Sequence, residues 1–383
     1  MTPPLRIAIV GYGIGGISAA LHLRRQGHCI THFDRHDPPS SAGAGMLLHP
    51  PAKRELEALG ILEEAQACGA PVRGIHAQTT RGYPIFDLGY ADLAAGQFGL
   101  GIQRGTLHHL LSSADTGRDA VMVGRNMTSA DSHGGYLLQD SGGQHGPYDL
   151  IVVADGAESG LRENVPFATH RNQRATTAAL VGLIDDNDNV ASDRLVQRFD
   201  RGTHVSVWPV GSCSPGDVRR CSFAMNVAVA DASAFRDCGL WKNCLASFFP
   251  ELGQALQGQG PALRPYVFTY RDVEVNSYSK GRIVLIGDAA HSMSPQLGVG
   301  AQLAMADARI LATKLATHDS VAAALHDYSR IRPIQIRHYQ QASRWLTPLL
   351  QSESRLMGGL RDGVLSAAMR SPLARRVAQG LLC

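Results

Sequence analysis

Lysine is the residue this 383-residue chain most conspicuously lacks. Of 36 basic residues only Lys53, Lys242, Lys280 and Lys314 are lysines; no basic run reaches five residues, and the formal charge is only +3. Such a balance excludes the electrostatic footprint of a nucleic-acid binder. The skew toward arginine points to the base composition of the gene rather than to an anion-binding role. Aromatic residues are also sparse, at 6%. No stretch of 18 apolar residues occurs, which argues against a membrane span. The seven cysteines (Cys29, Cys68, Cys213, Cys221, Cys238, Cys244 and Cys383) are odd in number and form no C-x-x-C pair. They read as reduced thiols in a cytoplasmic protein. There is no H-E-x-x-H and no clustered Cys/His to hold a metal, and no G-x-S-x-G nucleophile elbow. Zinc-protease and α/β-hydrolase chemistry are thereby set aside. "MTPPLRIAIVG" shows no signal-peptide core, and Cys383 is not in a prenylation box.

What is present is ordinary in amount and distinctive in pattern. Hydrophobic content is 44% and charged content 18%, and the length suffices for two domains. "LRIAIV" (5–10) reads as a buried strand, residues 14–26 have helical periodicity, and "CITHFD" (29–34) reads as a strand ending in an acid. Between the first strand and the helix lies Gly11-x-Gly13-x-x-Gly16. In such a unit the first glycine permits a tight turn, the second lets backbone approach a pyrophosphate, and the third lets helix pack on sheet. The helix N-terminus offers free N–H groups to phosphates. Asp34, 18 residues past Gly16, is placed to accept from ribose hydroxyls, which favours FAD or NAD over NADP.

The rest of the chain alternates in style. "PPAKRELEALGILEEA" predicts a helix opened by Pro51 and broken near Gly60. "AVMVGRNMTSADSHGGYLLQDSGG" predicts a β meander, and "DLIVVADG" another apolar run ending in Asp-Gly. "RLVQRFDRGTHVSVWPV" and "RRCSFAMNVAV" alternate like antiparallel strands, and the parallel style returns with "RIVLIGD". A nucleotide-type region is thus interrupted by an antiparallel one, and the pattern beyond about 318 is helical.

Three stretches then share one theme. "SSAGAGMLLHPPAKRELEALGI" contains a Gly-Ala-Gly loop. "VVADGAESGLR" carries D-G-x-x-S-x-x-R through Asp155, Gly156, Ser159 and Arg162. "RIVLIGDAAHSMSPQLGVGAQLAMADA" reads G-D-A-A-H-x-x-x-P-x-x-G-x-G without a gap. The tail adds Y-x-x-x-R-P through Tyr328, Arg332 and Pro333. In this order and spacing, from residue 6 to about 344, the chain resembles the group A FAD-dependent aromatic monooxygenases, the para-hydroxybenzoate hydroxylase-like family that includes salicylate hydroxylase-type enzymes. The residues agree: an acid at a strand end suits a hydroxylated chain, and Gly298 and Gly300 clear space for a flat ring against backbone. The following helix N-terminus suits the negative charge of a reduced flavin.

The resemblance implies an α/β protein. Its Rossmann-like, glutathione reductase-type FAD-binding domain carries an inserted, mainly antiparallel β-sheet substrate domain and a C-terminal helical segment. The implied parts are 1–72, 98–170 and 271–318 for FAD, 73–97 and 171–270 for substrate, and 319–383 for the helical region. Gly11, Gly13, Gly15, Gly16, Asp34 and Arg35 would hold the ADP half of FAD, and Met127 the adenine. Ala44 and Gly45 would lie along the flavin, with Arg104 near ribityl and phosphates. Asp155, Gly156 and Arg162 would serve both FAD and the nicotinamide donor. Asp288 would hold the ribityl or pyrophosphate region, and Pro295, Gly298, Gly300 and Ala301 the flavin ring. His291 is a family feature with a structural role. Two positions depart from the family pattern: Pro51 and Gln302 stand where asparagine is usual.

The implied chemistry is reduction of FAD by NADH or NADPH, addition of oxygen to give a C4a-hydroperoxide, and hydroxylation of a small aromatic or heteroaromatic ring. No second G-x-G-x-x-G marks a nicotinamide domain. The alternatives are a family member acting on a non-aromatic or polyketide-like scaffold, and a flavin-binding protein without turnover. A halogenase is disfavoured because W-x-W-x-I-P is absent. His49 is the candidate base. His204, Ser206 and Trp208 share a face if "HVSVWPV" is a strand, and are the substrate-side candidates. The implied partners are a small-molecule substrate and O2, with no nucleic acid and no membrane span, and a homodimer as the assembly to consider. The C-terminal amphipathic stretch is expected to cover the core rather than a membrane.

Overall fold

The computed structural model describes residues 3–37, 44–92, 95–117, 121–131, 136–186, 191–200, 202–258 and 265–351, and single residues 363, 371, 380 and 382. Short apolar runs build its first sheet. Across the sheet the strands are Ser279–Lys280, Ile283–Leu285, Leu150–Val153, Arg6–Val10, Cys29–Phe33 and Val121–Met122. All neighbours are parallel except the Ser279–Lys280 edge. Strands buried on both faces need continuous apolar sequence, and Leu150–Val153 and Ile283–Leu285 are buried throughout.

Register decides where the motifs end up. Val10 pairs with Phe33 on one side and Val153 on the other, and Val153 pairs with Leu285. Gly11, Asp34, Asp155 and Gly287 therefore leave adjacent strands at one level, on the carboxyl edge where open α/β sheets bind ligands. Helix Ile14–Arg25 follows the first strand, and helix Gly300–Thr317 packs beside it, with Gly15 facing Ala304. Glu55 and Arg309, in a bidentate pair at 2.7 and 2.8 Å, tie helix Ala52–Leu59 to helix Gly300–Thr317.

The second large sheet has seven strands, in the order Tyr266–Phe268, Thr177–Asp185, Arg220–Ala228, Thr203–Gly211, Leu195–Asp200, Gly74–Thr79 and Pro84–Gly89. Its one parallel pairing joins Leu195–Asp200 to Gly74–Thr79, so a segment near residue 80 completes a sheet built mostly from 177–268. The period of two sorts the faces. Val205 and Val207 join Phe223 and Trp241 in a core under helix Leu240–Phe248, and the two rings stack at 5.3 Å. The alternate residues of the same strand face a cavity described below.

A small sheet of Gly45–Leu48, Gly99–Gln103 and Ala70–Val72 presses against the seven-stranded one. The approach is close enough to demand glycine. A Cβ at Gly101 would lie 1.9 Å from the Pro209 carbonyl oxygen.

Three readings of the sequence meet the structure with different results. The helix opened by Pro51 stops at Gly60, in the left-handed region at φ 76°. The meander expected from 120 to 143 holds only for Ser129–Asp131, Tyr136–Asp140 and Gly143–Tyr148. Val121–Met122 instead joins the parallel sheet, because Asp34 N–H donates to the Met122 carbonyl at 3.0 Å. The tail is helical over Val321–Gln351; most of the amphipathic stretch beyond it lies outside the described residues. Among those described, no helix is long and apolar enough to cross a membrane.

Gly101→Ala should destabilise the protein by about 1–3 kcal/mol through overpacking. A lower urea midpoint at unchanged m-value is the expected measurement.

Candidate flavin and substrate site

The glycines of the first loop fall into two kinds. At Gly11 (φ 107°) a Cβ would sit 2.3 Å from the Ala154 carbonyl oxygen, and at Gly16 it would sit 1.9 Å from that of Gly11. These two are glycine because protein meets protein. At Gly13, and at Gly156 with φ 87°, no protein atom lies within 4 Å of where a Cβ would be. These two border open space, as backbone does where a ligand must approach. Two buried histidines brace the loop: His32 Nε2–H donates to the Gly11 carbonyl and His108 Nε2–H to that of Tyr12, each at 2.9 Å.

Asp34 is 8% exposed and already anchored. Tyr12 N–H donates to its Oδ2 at 2.7 Å and His36 N–H to its Oδ1 at 2.8 Å. Oδ2 keeps a further lone pair for a hydroxyl, while Oδ1 also faces His36 Nδ1 at 3.3 Å. Arg35 is exposed beside it, and the Met127 side chain is buried in the core.

The Asp-Gly motif is tied from within. Ser159 Oγ accepts from Arg162 N–H at 3.0 Å, capping the short helix Gly160–Asn164. The Arg162 guanidinium is buried and donates to the Ala289 and Ala157 carbonyls at 3.0 and 2.8 Å. It thereby locks this motif to the Gly-Asp motif. Asp155 Oδ1 is buried with no hydrogen-bond partner in the protein, and burial pushes its carboxyl pKa up.

The Gly-Asp turn rests on a residue that sequence reasoning missed. Gly287 (φ 59°) donates its N–H to Asp307 Oδ2 at 2.7 Å, and His291 Nε2–H donates to the same oxygen at 2.6 Å. Arg332 Nε donates to Oδ1 at 2.8 Å. Burial alone would raise Asp307, but Arg332 and then His291 outweigh it and hold the carboxyl at about 2. The available signal was an acid inside a mostly apolar helix, facing the arginine of the Y-x-x-x-R-P segment.

Asp288 is free of that cluster and open to a cavity of about 710 Å³. Desolvation by the surrounding protein raises the Asp288 carboxyl, opposed by His291 and Arg104. Arg104 lines the same cavity, and its backbone N–H donates to the Ala44 carbonyl at 3.0 Å. Ala44, Gly45, Pro295, Gly298, Gly300 and Ala301 also line it. Gly298 takes φ 65°, and a Cβ at Gly300 would meet nothing closer than Asp288 Oδ1 at 3.9 Å. Gly45 has a different reason for being glycine than a ring lying over it: a Cβ there would overlap Val210 and Ser222, at 2.3 and 2.5 Å. Neither Pro51 nor Gln302 lines the cavity; Gln302 Oε1 is buried without a partner.

The candidate base is corrected. His49 is 2% exposed, and both ring nitrogens are engaged. Nε2–H donates to the Leu297 carbonyl at 2.8 Å, which leaves Nδ1 to accept from the Tyr90 hydroxyl at 2.6 Å. Burial pushes the imidazole down to about 4. His49 lines the cavity, but as a neutral ring with both nitrogens engaged it braces the Pro295–Leu297 turn and has no free lone pair to offer. Tyr90, its partner, was not singled out from sequence.

On the sheet side His204, Ser206 and Trp208 line the cavity together, as their shared face requires. Gln197, opposite Ser206 on the next strand, donates to its Oγ at 3.2 Å. Helix Val321–Gln351 supplies a wall that sequence reasoning did not assign, through Ala342, Trp345, Leu346 and Leu350.

Open backbone at Gly13, Gly156 and Gly300, an unsatisfied Asp155 oxygen and a cavity-facing Asp288 together fit a dinucleotide whose ring system reaches the sheet. Comparison agrees: the chain belongs to the FAD binding domain family, which it matches over residues 5–341. Its cofactor is FAD. Among similar proteins is a putative 2-heptyl-3-hydroxy-4(1H)-quinolone synthase of Rhodococcus erythropolis, 29% identical over 371 residues, covering 96% of this chain and 93% of that one. Another is the FAD-dependent urate hydroxylase of Klebsiella pneumoniae, 25% identical over 95% of this chain and all of that one. The crystal structure of Klebsiella pneumoniae HpxO with FAD and uric acid superposes with a TM-score of 0.82 at 22% identity, covering 99% and 97% of the two chains.

Gly13→Ala should cost about 1 kcal/mol or less in stability, because the added Cβ meets no atom of another segment within 4 Å. It should weaken FAD retention at least tenfold, read by flavin fluorescence of the reconstituted protein. Histidine titration sets the pH profile. His32 and His49 are held near 4 when folded and titrate near 6.5 when unfolded. Stability should therefore be fully present above about pH 6.5 and fall toward pH 4, by about 1.4 kcal/mol per pH unit for each histidine. His49→Gln should flatten that slope by one proton in pH-dependent urea denaturation.

Proposed function

We propose that the chain is a single-component FAD-dependent monooxygenase that draws electrons from NADH or NADPH. It uses O2 to hydroxylate a small aromatic or heteroaromatic substrate. The observation that carries this reading is the single cavity shared by the Asp288–Ala301 cradle and the seven-stranded sheet. Substrate and flavin would meet in one chamber lined mainly by apolar side chains. When bound, FAD supplies the redox and oxygen chemistry; the protein binds, orients and excludes water.

The residues divide that labour. The N-terminus of helix Gly300–Thr317 carries unpaired N–H groups and the positive end of the helix dipole. Fixed donors of this kind stabilise negative charge at a flavin's pyrimidine edge without reorganising. Asp288 and Arg104 face the polar chain of the cofactor. His49, braced by Tyr90, keeps the Leu297 carbonyl and the turn around it in place. Cytoplasmic location and a homodimeric assembly belong to the same proposal.

The test is substrate-stimulated NAD(P)H oxidation with oxygen uptake, across phenols and N-heteroaromatics, with products identified by mass. A hydroxylated product formed in step with NAD(P)H use is expected for at least one compound. A yellow protein that yields no coupled product with any of them overturns the proposal.

A further inference from the structure

The walls of the cavity carry more than its position. Among the described residues lining it, Arg104 and Asp288 are the only formally charged side chains, and both sit at the cofactor cradle. Among the described residues, the sheet side of the lining offers no arginine or lysine. Its titratable group is His204, buried with its ring stacked on Phe199 at 5.2 Å. A carboxylate brought there would lose its water and gain no cationic partner, which lowers affinity by orders of magnitude. Polar groups on the sheet side are few and mostly occupied, Trp208 Nε1–H being left without a partner. Gln197 is bonded to Ser206, while Asn226 accepts from His204 N–H at 2.7 Å and donates to the Gly202 carbonyl at 2.9 Å.

The remaining wall is aliphatic. Ile75, Phe86 and Leu88 come from the two sheet strands near residue 80, Leu195 from the neighbouring strand, and Leu346 and Leu350 from the last turns of the long helix. Leu382 adds to this wall, in one cluster with Leu88, Ile75 and Leu195, and a single ring on the flavin would leave part of the wall facing the cavity. Two of the cavity's apolar residues are also open to the exterior, Trp345 at 79% and Phe268 at 39%. Exposed large apolar side chains at a cavity are the mark of an apolar ligand's route.

Resting on the monooxygenase reading above, we infer that the substrate is an uncharged aromatic or heteroaromatic ring bearing an apolar chain. The ring lies over the Gly298–Gly300 cradle, and the chain runs against Ile75, Leu195, Leu346 and Leu350. Chain burial supplies the affinity, and the absence of a cation on the sheet side excludes ring carboxylates.

The holoenzyme would be titrated with two series, followed by flavin absorbance for binding and by mass for product. One is 4-hydroxyquinoline, its 2-carboxylate, and 2-alkyl derivatives lengthened two carbons at a time; the other is phenol, 4-hydroxybenzoate and the 4-alkylphenols. Within at least one series Kd should tighten by about three- to fourfold per methylene until the wall is covered, with the carboxylate weakest. Leu346→Trp, which fills part of the wall, should weaken the long-chain compounds at least tenfold relative to the bare rings, at unchanged FAD content. Bare rings or carboxylates that bind as tightly as every alkyl derivative overturn the inference, even if they are hydroxylated. Chain-dependent binding with no product from any compound supports the inference and overturns the monooxygenase reading instead.

Discussion

A strand-end turn, a four-residue helix and the long C-terminal helix all donate to one carboxylate. Gly287 N–H, His291 Nε2–H and Arg332 converge on Asp307, which no solvent reaches. The orientation of the flavin cradle depends on this convergence. Gly287 is held at a positive φ that few residues adopt, and the hydrogen bond from its N–H aims the next residue, Asp288, into the cavity. Burying a carboxylate is costly, yet the net effect on Asp307 is a pKa near 2, so the partners outweigh desolvation. Deleting one partner of such a cluster typically costs about 3–5 kcal/mol, because the survivor stays buried and unpaired. The cluster thus makes the cradle's geometry all-or-none.

Around that anchor, register does the assembling. Because Val10, Phe33, Val153 and Leu285 sit level in adjacent parallel strands, motifs from residues 11, 34, 155 and 287 meet without any long loop reaching across. Arg162 then bonds two of those motifs to each other through the Ala157 and Ala289 carbonyls. The small sheet carrying Gly45 and Gly101 closes the gap to the seven-stranded sheet at a distance only glycine allows. The chamber is therefore made of contacts between segments far apart in sequence, each fixed by backbone geometry.

That origin explains what was legible beforehand. Strand period, glycine spacing and acids at strand ends are local features, so the motifs that gather at the sheet's carboxyl edge and the shared face of His204, Ser206 and Trp208 could be read from the chain. Asp307 could not, because an acid in a helix looks solvent-facing until the partner helix is placed. His49 looked like a base for a similar reason: its sequence neighbourhood shows neither Tyr90 nor the Leu297 carbonyl that occupy its ring. Gly45 lines the cavity, but what requires its lack of a side chain is the approach of Val210 and Ser222, which the sequence does not show. Val121–Met122 seemed part of a meander because a two-residue strand has no period of its own.

The occupation of His49 also bears on how the chamber works. With that imidazole neutral and doubly bonded, the cavity's sheet side offers little acid–base apparatus, and its polar groups mostly bond to one another. Such a wall attracts ligands through apolar contact, which is strong in sum but indifferent to direction. Direction then has to come from shape: the open backbone at Gly300 on one side, and the apolar wall on the other, while Gly298 is glycine because a Cβ there would press on His49. A chamber of this kind leaves the reactive chemistry to the cofactor. Its rigidity, set by Asp307 on one side of the flavin turn and His49 on the other, is what the protein itself contributes to the reaction.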